Sequence, residues 1–426
     1  MKIPPVKGTR DFYPPEMAVR NWIIDGWKKV SVRNGFEEYD GPIFELLKMF
    51  QIKSGDEIVE QLFSLRDRGG RDLALRPEIT PTLARMVNQR INALSKPIKW
   101  FSVPRLFRAE RPQKGRLREF FQWNIDIIGE DSPLADAEVI FTTVDYLREI
   151  GLTSKDIKVK ISSRQLLADY LISLGIPEDK LESIYVILDK KNKLPPDTFE
   201  KILAEQIPDT STVRKILDFM SVDSIPQLKD FVEEGSSAFL NIKCVLDNLD
   251  MMGVGDFCLY DPGIVRGLAY YTGIVFEVHD VAGELRAICG GGRYDNLLRD
   301  FGGPPVSATG MGMGDCVLEI LLKERGLLEK QLPKTKIDYF VSCVDENYKD
   351  VTVEVTMKLR SAGFSANFSY KITKLSKQLK QASEQNAAKC IIIGDEFKNN
   401  KLAVKDMATG QQELVDYDEF LSDIKS

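Results

Sequence analysis

The stretch Arg105 to Asp126, RLFRAERPQKGRLREFFQWNID, carries six cations in its first fourteen residues: Arg105, Arg108, Arg111, Lys114, Arg116 and Arg118. It ends in a tight alternation of apolar and polar side chains. Cations followed by such an alternation predict a β-loop-β element. The loop offers fork-shaped donors and the strand aims alternate side chains into a pocket. That arrangement suits a ligand with several phosphates whose reacting end must be held still. A solvated basic loop on an edge hairpin explains the same composition. Three further groupings hold chemistry. LRPEIT sets Glu78 and Thr80 on alternate positions, and FFQWNID does so for Gln122, Asn124 and Asp126; VRGLAYYTG brings Arg266, Tyr270 and Tyr271 together. Carboxylates with an amide and a hydroxyl read an ammonium group or a ring N–H, and arginines read phosphate or carboxylate. Each also has a structural explanation: Glu78 as half of an ion pair, the two tyrosines as core aromatics.

Other motifs fall away. No G-x-x-x-x-G-K-[ST] is present, so there is no P-loop. GMGMG at Gly310 to Gly314 lacks dinucleotide spacing and sits near the start of a helix, where close packing of strand on helix accounts for it. GGG at Gly290 to Gly292 ends a strand and serves either a tight bend or contact with a small ligand. The one histidine, His279, follows the strand-like IVFEV and reads as a strand-end or surface residue. A histidine dyad is thereby excluded. Six cysteines (Cys244, Cys258, Cys289, Cys316, Cys343, Cys390) lie far apart with no Cys-x-x-Cys. They point away from zinc and disulfides and towards a reducing, cytoplasmic setting.

The elements that must position these groups follow from periodicity. The length of 426 residues predicts two or three domains. Apolar content of 43% and charged content of 29% are those of a soluble globular chain. No apolar run is long enough to span a membrane, and the N-terminus lacks a signal core. The net charge of -6 argues against a protein that coats nucleic acid, though local basic patches remain possible. Glu16 to Asn34 reads as a helix with Val19, Ile23, Trp27 and Val30 on one face, closed by Gly35. An extended stretch around Pro42 follows. DLALRPEITPTLARMV reads as a strand entering a helix with Thr80 at its N-cap and Pro81 in its first turn. KWFSVPRLFRAE and REFFQWNIDIIGE read as two strands, and Ser132-Pro133 opens a helix ended by Gly151. From about Ser154 to Asp256 helical patterns dominate, as expected of an inserted subdomain. Strands return at VRGLAYYTGIVFEVHD and ELRAICGGGRYDNLL. The expected class is α+β, a largely antiparallel core with a helical insertion. Residues 332–426 read as a separate α/β domain of βαβαβ pattern with parallel strands.

Together these segments resemble the histidyl-tRNA synthetase family of class II aminoacyl-tRNA synthetases, over nearly the whole chain. KGTRDFYPPE resembles the family's N-terminus and the Pro42 region its first class motif. FRAERPQKGRLREFFQ is similar to the second motif, RGLAYYTGIVFE to the histidine-site signature, and GGGRYDNLL with GGPPVSATGMGMG to the approach to the third. The resemblance implies ligation of L-histidine to tRNA(His) using ATP as substrate, with Mg2+ on its phosphates; no protein side chain is assigned as a metal ligand. It implies that Arg108 and Arg266 hold the α-phosphate. Glu78, Thr80 and Gln122 would hold the α-amino group, and Asp126 and Tyr271 the imidazole, beside Tyr270. Glu110 and Arg111 would lie near ATP and the tRNA acceptor end. A homodimer formed through the Pro42 region and a C-terminal anticodon-binding domain are implied too. From Lys358 to Lys401 there are nine Lys or Arg and three Asp or Glu. Lys374, Lys377 and Lys380 recur there at helical spacing, as an RNA contact or a solvated face. Two departures stand out. Cys316, after Asp315, occupies the place of the third motif's arginine, and Ala269 replaces an acidic residue of the signature. Two non-catalytic readings share the same core: a regulatory subunit of ATP phosphoribosyltransferase, and a tRNA-binding factor.

Overall fold

A computed structural model of the chain describes residues 3–52, 61–191, 194–266, 270–332 and 337–423. It separates into two units, Met1–Gln331 and Leu332–Ser426. Ala269 lies outside the described residues.

The first unit is built on a nine-stranded sheet. Its main path runs Glu37–Glu38, Ile98–Ser102, Glu119–Ile128, Ala308–Gly314, Cys289–Arg293, Ile274–Asp280, Ile157–Ser163 and Cys258–Tyr260. The interior pairings are antiparallel and the two edge pairings parallel. Glu119–Ile128 shows how the sequence sorts its faces. Period-2 alternation sends Trp123, Ile125 and Ile127 to one side, all fully buried. There Trp123 stacks on Trp27 at 6.3 Å and meets Tyr146 edge-on at 5.5 Å. Those rings come from the helices Pro14–Arg33 and Pro133–Glu149. Trp123 Nε1 also donates to Ser31 Oγ at 2.8 Å. Gln122, Asn124 and Asp126 are thereby committed to the opposite face.

The expected strand over KWFSVPRLFRAE is two strands. Ile98–Ser102 pairs with residues 124–128, and Arg105–Phe107 with residues 119–121, of the same long strand. Pro104 lacks an N–H and breaks the run between them. Arg105–Phe107, the loop 108–118 and Glu119–Ile128 form the β-loop-β element. Thr80 is not the N-cap of its helix. That position is Ile79, and Thr80 opens the helix Thr80–Arg90 as its first residue, followed by Pro81. The stretch 154–256 first lends Ile157–Ser163 to the central sheet, then turns helical from Arg164 to Met251.

The second unit is a five-stranded sheet in the order Ala366–Phe368, Ile337–Cys343, Ala387–Ile393, Lys401–Asp406, Gln412–Asp416. Its first three strands are parallel and joined by the helices Lys349–Ser361 and Leu375–Glu384. An antiparallel hairpin, absent from the βαβαβ expectation, completes it.

Candidate active site

Gln122, Asn124 and Asp126 look across a floor of glycines. In register, Asn124 faces Gly312 and Asp126 faces Gly310. On the next strand Gly290 faces Gly312 and Gly292 faces Gly310. A Cβ at Gly310 would lie 2.1 Å from Asp126 Oδ1, and one at Gly312 would lie 2.8 Å from Gln122 Nε2. One at Gly290 would lie 1.6 Å from Arg266 Nη1, and one at Gly292 3.0 Å from Tyr271 Cδ1. Two strands have therefore given up side chains on one face so that their neighbours' side chains can lie across them. Packing of strand on helix does not account for GMGMG; its Gly310 and Gly312 belong to this floor.

Asp126 is 3% exposed. Its Oδ1 accepts from the Tyr294 hydroxyl, while Oδ2 is buried with no hydrogen-bond partner among the described residues. Burial pushes its carboxyl up to about 7, against the pull of the Tyr294 bond. Tyr39, also buried, faces the same carboxyl; burial first and Asp126 second push its phenol up. Neither Tyr39 nor Tyr294 figures among the residues expected for the site. Tyr294 had a readable signal, because Gly290, Gly292 and Tyr294 alternate on one face.

Glu78 and the tyrosines line another side. Glu78 is buried and accepts from Tyr270 Oη at 3.3 Å. The Tyr270 ring lies 4.9 Å from Tyr271 and meets Tyr294 edge-on at 5.9 Å. Burial raises both Tyr270 and Tyr271, so both phenols stay protonated donors at neutral pH. Thr80 is half-buried at the start of its helix.

The two arginines are held differently. Arg108 Nε donates to Pro77 O at 3.1 Å, and its guanidinium lies 5.2 Å over the Phe120 ring. Burial lowers its pKa while Glu78 opposes that shift. Arg266 adopts a left-handed backbone, φ 57°, which strains a residue with a Cβ. Its Nη1 donates to Phe276 O at 3.2 Å, Nε lies 3.9 Å from Glu277 Oε1, and the guanidinium sits 5.3 Å over Tyr271.

Most of the other loop cations are structural. Arg105 pairs with Glu119 at 2.8 Å, Lys114 with Glu324 at 3.0 Å, and Arg116 with Glu110. Arg118 Nε donates to Glu110 O at 2.9 Å. The Glu110 carboxylate is thus engaged within the loop, and Arg111 is exposed on it. At the third motif, Asp315 begins the helix Asp315–Glu324. It accepts from Phe121 N at 3.0 Å and pairs with Arg10 at 2.5 Å. Cys316 Sγ donates to Asp315 Oδ1 at 3.3 Å, and burial holds the thiol protonated. The cation at this helix start therefore comes from Arg10, far away in sequence.

Residues 8–314 match the family model described as histidyl-tRNA synthetase. The chain belongs to the histidyl-tRNA synthetase family. Residues 338–426 match a model described as an anticodon binding domain. Among curated relatives, the chloroplastic/mitochondrial histidine–tRNA ligase of Arabidopsis thaliana is 39% identical, covering 96% of this chain and 84% of its own length. The histidine–tRNA ligase of Opitutus terrae is 40% identical, covering 94% and 93%. Among solved structures, the histidyl-tRNA synthetase of Nostoc sp. PCC 7120 aligns over 100% of this chain and 99% of its own, with a TM-score of 0.85 at 26% identity. Family membership thus covers both units.

Proposed function

We propose that the glycine-floored trough is where L-histidine and ATP react, making the chain a histidine–tRNA ligase. The observation that carries this reading is the orphaned Oδ2 of Asp126, a buried acceptor beside three tyrosines. An imidazole N–H fills that vacancy, and Tyr271 partners the other ring nitrogen, which fixes the tautomer. Analogues without ring nitrogens leave both groups unpaired, a discrimination of about 10⁴ or more. Glu78, Thr80 and Gln122 take the α-amino group.

The substrate carboxylate is already a nucleophile, so no protein base is required. It attacks the ATP α-phosphorus and pyrophosphate leaves. Arg108 and Arg266 take the charge that builds on the phosphoryl oxygens, which favours the transition state over the ground state. A ribose hydroxyl at the tRNA(His) 3′ end then attacks the acyl carbon and AMP leaves, near Glu110 and Arg111. Mg2+ would be carried on the ATP phosphates, where it neutralises their charge.

Histidine-dependent ATP–pyrophosphate exchange, followed by charging of tRNA(His), tests the reading. Exchange absent with active controls would favour the two non-catalytic readings; the anticodon-domain match speaks against the regulatory subunit of ATP phosphoribosyltransferase, which lacks that domain, but not against a tRNA-binding factor. Ending the chain at Gln331 is expected to reduce charging far more than exchange; equal losses would contradict a separate RNA-reading unit.

The floor makes a sharper prediction. Gly290→Ala sets a Cβ against Arg266 Nη1 and 2.9 Å from Phe276 O. The guanidinium must move, so exchange is expected to fall about 10²-fold with the fold retained. Undiminished exchange would show that Arg266 does not act from this position.

A homodimer is part of the proposal. The small sheet Phe44–Leu46, Asp72–Leu75, Ser64–Arg66 leaves Phe44 54%, Leu46 42% and Leu65 47% exposed, beside Ile43. A second copy covers this face, and sedimentation at micromolar concentration should show the dimer. No helix among the described residues is long and apolar enough to cross a membrane, and all six cysteines are free, as a reducing cytoplasm would keep them.

A further inference from the structure

The second unit displays an aromatic ring that its own core does not use. Tyr370 is 81% exposed, the only exposed aromatic among the described residues of that unit. It follows the edge strand Ala366–Phe368 and rests against Phe368 at 5.3 Å, which limits where the ring can go. The loop behind it is pinned. Buried Gln378 donates to Thr373 O at 2.7 Å and to Cys343 O at 2.8 Å, and accepts from Cys343 N at 3.3 Å. Ser369 Oγ donates to Gln381 Oε1 at 2.7 Å. An exposed ring on a fixed loop loses little entropy on binding.

The charge around it has one sign. No Asp or Glu occurs from Ser361 to Ser383. Lys371, Lys374 and Lys377 are exposed and form no ion pair among the described residues. Lys380, by contrast, lies 3.7 Å from Glu384. We propose that Tyr370 is a stacking platform for an unpaired base of the bound RNA, with Lys371, Lys374 and Lys377 on the flanking phosphates. A π-face amid unpaired cations fits a single-stranded loop better than a duplex or a protein surface. This rests on reading the second unit as the RNA-binding half of the ligase.

The test uses the full-length chain and tRNA(His) transcript. Tyr370→Ala is expected to raise the KM for tRNA about tenfold while leaving pyrophosphate exchange unchanged. Tyr370→Phe keeps the π-face and should stay within about twofold of wild type. Lys374→Ala should reduce the salt slope of tRNA binding by about 0.7, and Tyr370→Ala should leave that slope intact. Wild-type KM in Tyr370→Ala would overturn the platform while leaving the RNA-binding unit standing, provided Lys374→Ala still weakens binding. Equal losses in Tyr370→Ala and Tyr370→Phe would overturn stacking in favour of a contact through the hydroxyl. If the lysine variant and the chain ending at Gln331 both charge normally, the underlying reading fails instead.

Discussion

Arg266→Ala is expected to lower histidine-dependent pyrophosphate exchange by about 10²–10³-fold, the loss typical of removing one charge-stabilising donor from a preorganised site. Folding should survive. The guanidinium contributes little to the core, resting on one backbone carbonyl and one aromatic face. Its neighbour Glu277 keeps His279, whose Nε2 lies 3.0 Å away. The left-handed φ of 57° offers a control. Arg266→Gly relieves that strain, so it should be as inactive as the alanine variant yet more stable by about 1 kcal/mol. Between the two variants stability then changes while activity does not, which a damaged fold cannot produce. Exchange near the wild-type rate in either variant would remove Arg266 from the mechanism.

What the sequence disclosed depended on whether the signal was local. Period-2 alternation in FFQWNID placed Gln122, Asn124 and Asp126 on one face, because tryptophan and isoleucine on the alternate positions must go to the core. The helices bearing Trp27 and Tyr146 were readable for the same reason. The second unit's parallel strands were legible from their alternation with helices, whereas the hairpin Lys401–Asp406 with Gln412–Asp416 was not, its outer strand being largely exposed. The loop cations illustrate a different limit. Composition cannot say which arginine turns inward, since that depends on partners such as Glu119 and Glu324. The glycines at 290 and 292 left a tight bend and contact with a small ligand both open, and those at 310 and 312 looked like packing positions, because their purpose exists only across strands. Arg10 meets Asp315 over a separation of 305 residues, which no window along the chain can show.

Asp126→Asn separates recognition from stability in the same way. Burial raises the carboxyl from 3.8 to about 7, so the folded protein holds this proton more tightly than the unfolded chain. The contribution to stability is then full below pH 3.8 and lost as pH rises through about 7. The whole loss is on the order of 4 kcal/mol, because the group is 3% exposed and solvent screens it little. Asparagine cannot ionise. Its carbonyl can still accept from Tyr294, leaving an unpaired amide N–H at a cost of about 1–3 kcal/mol. The variant should therefore gain about 2 kcal/mol over wild type at pH 8 and lose about 2 kcal/mol at pH 4, read as a Tm difference that changes sign between those limits. A difference flat in pH would contradict the buried, protonatable carboxyl. For the substrate the consequence is opposite. With Tyr294 fixing the carbonyl, the amide N–H points where the imidazole N–H must go, donor against donor. The KM for histidine should rise about 10²-fold or more, while the KM for ATP stays close to wild type. A histidine KM left near wild type would mean that the imidazole lies elsewhere in the trough.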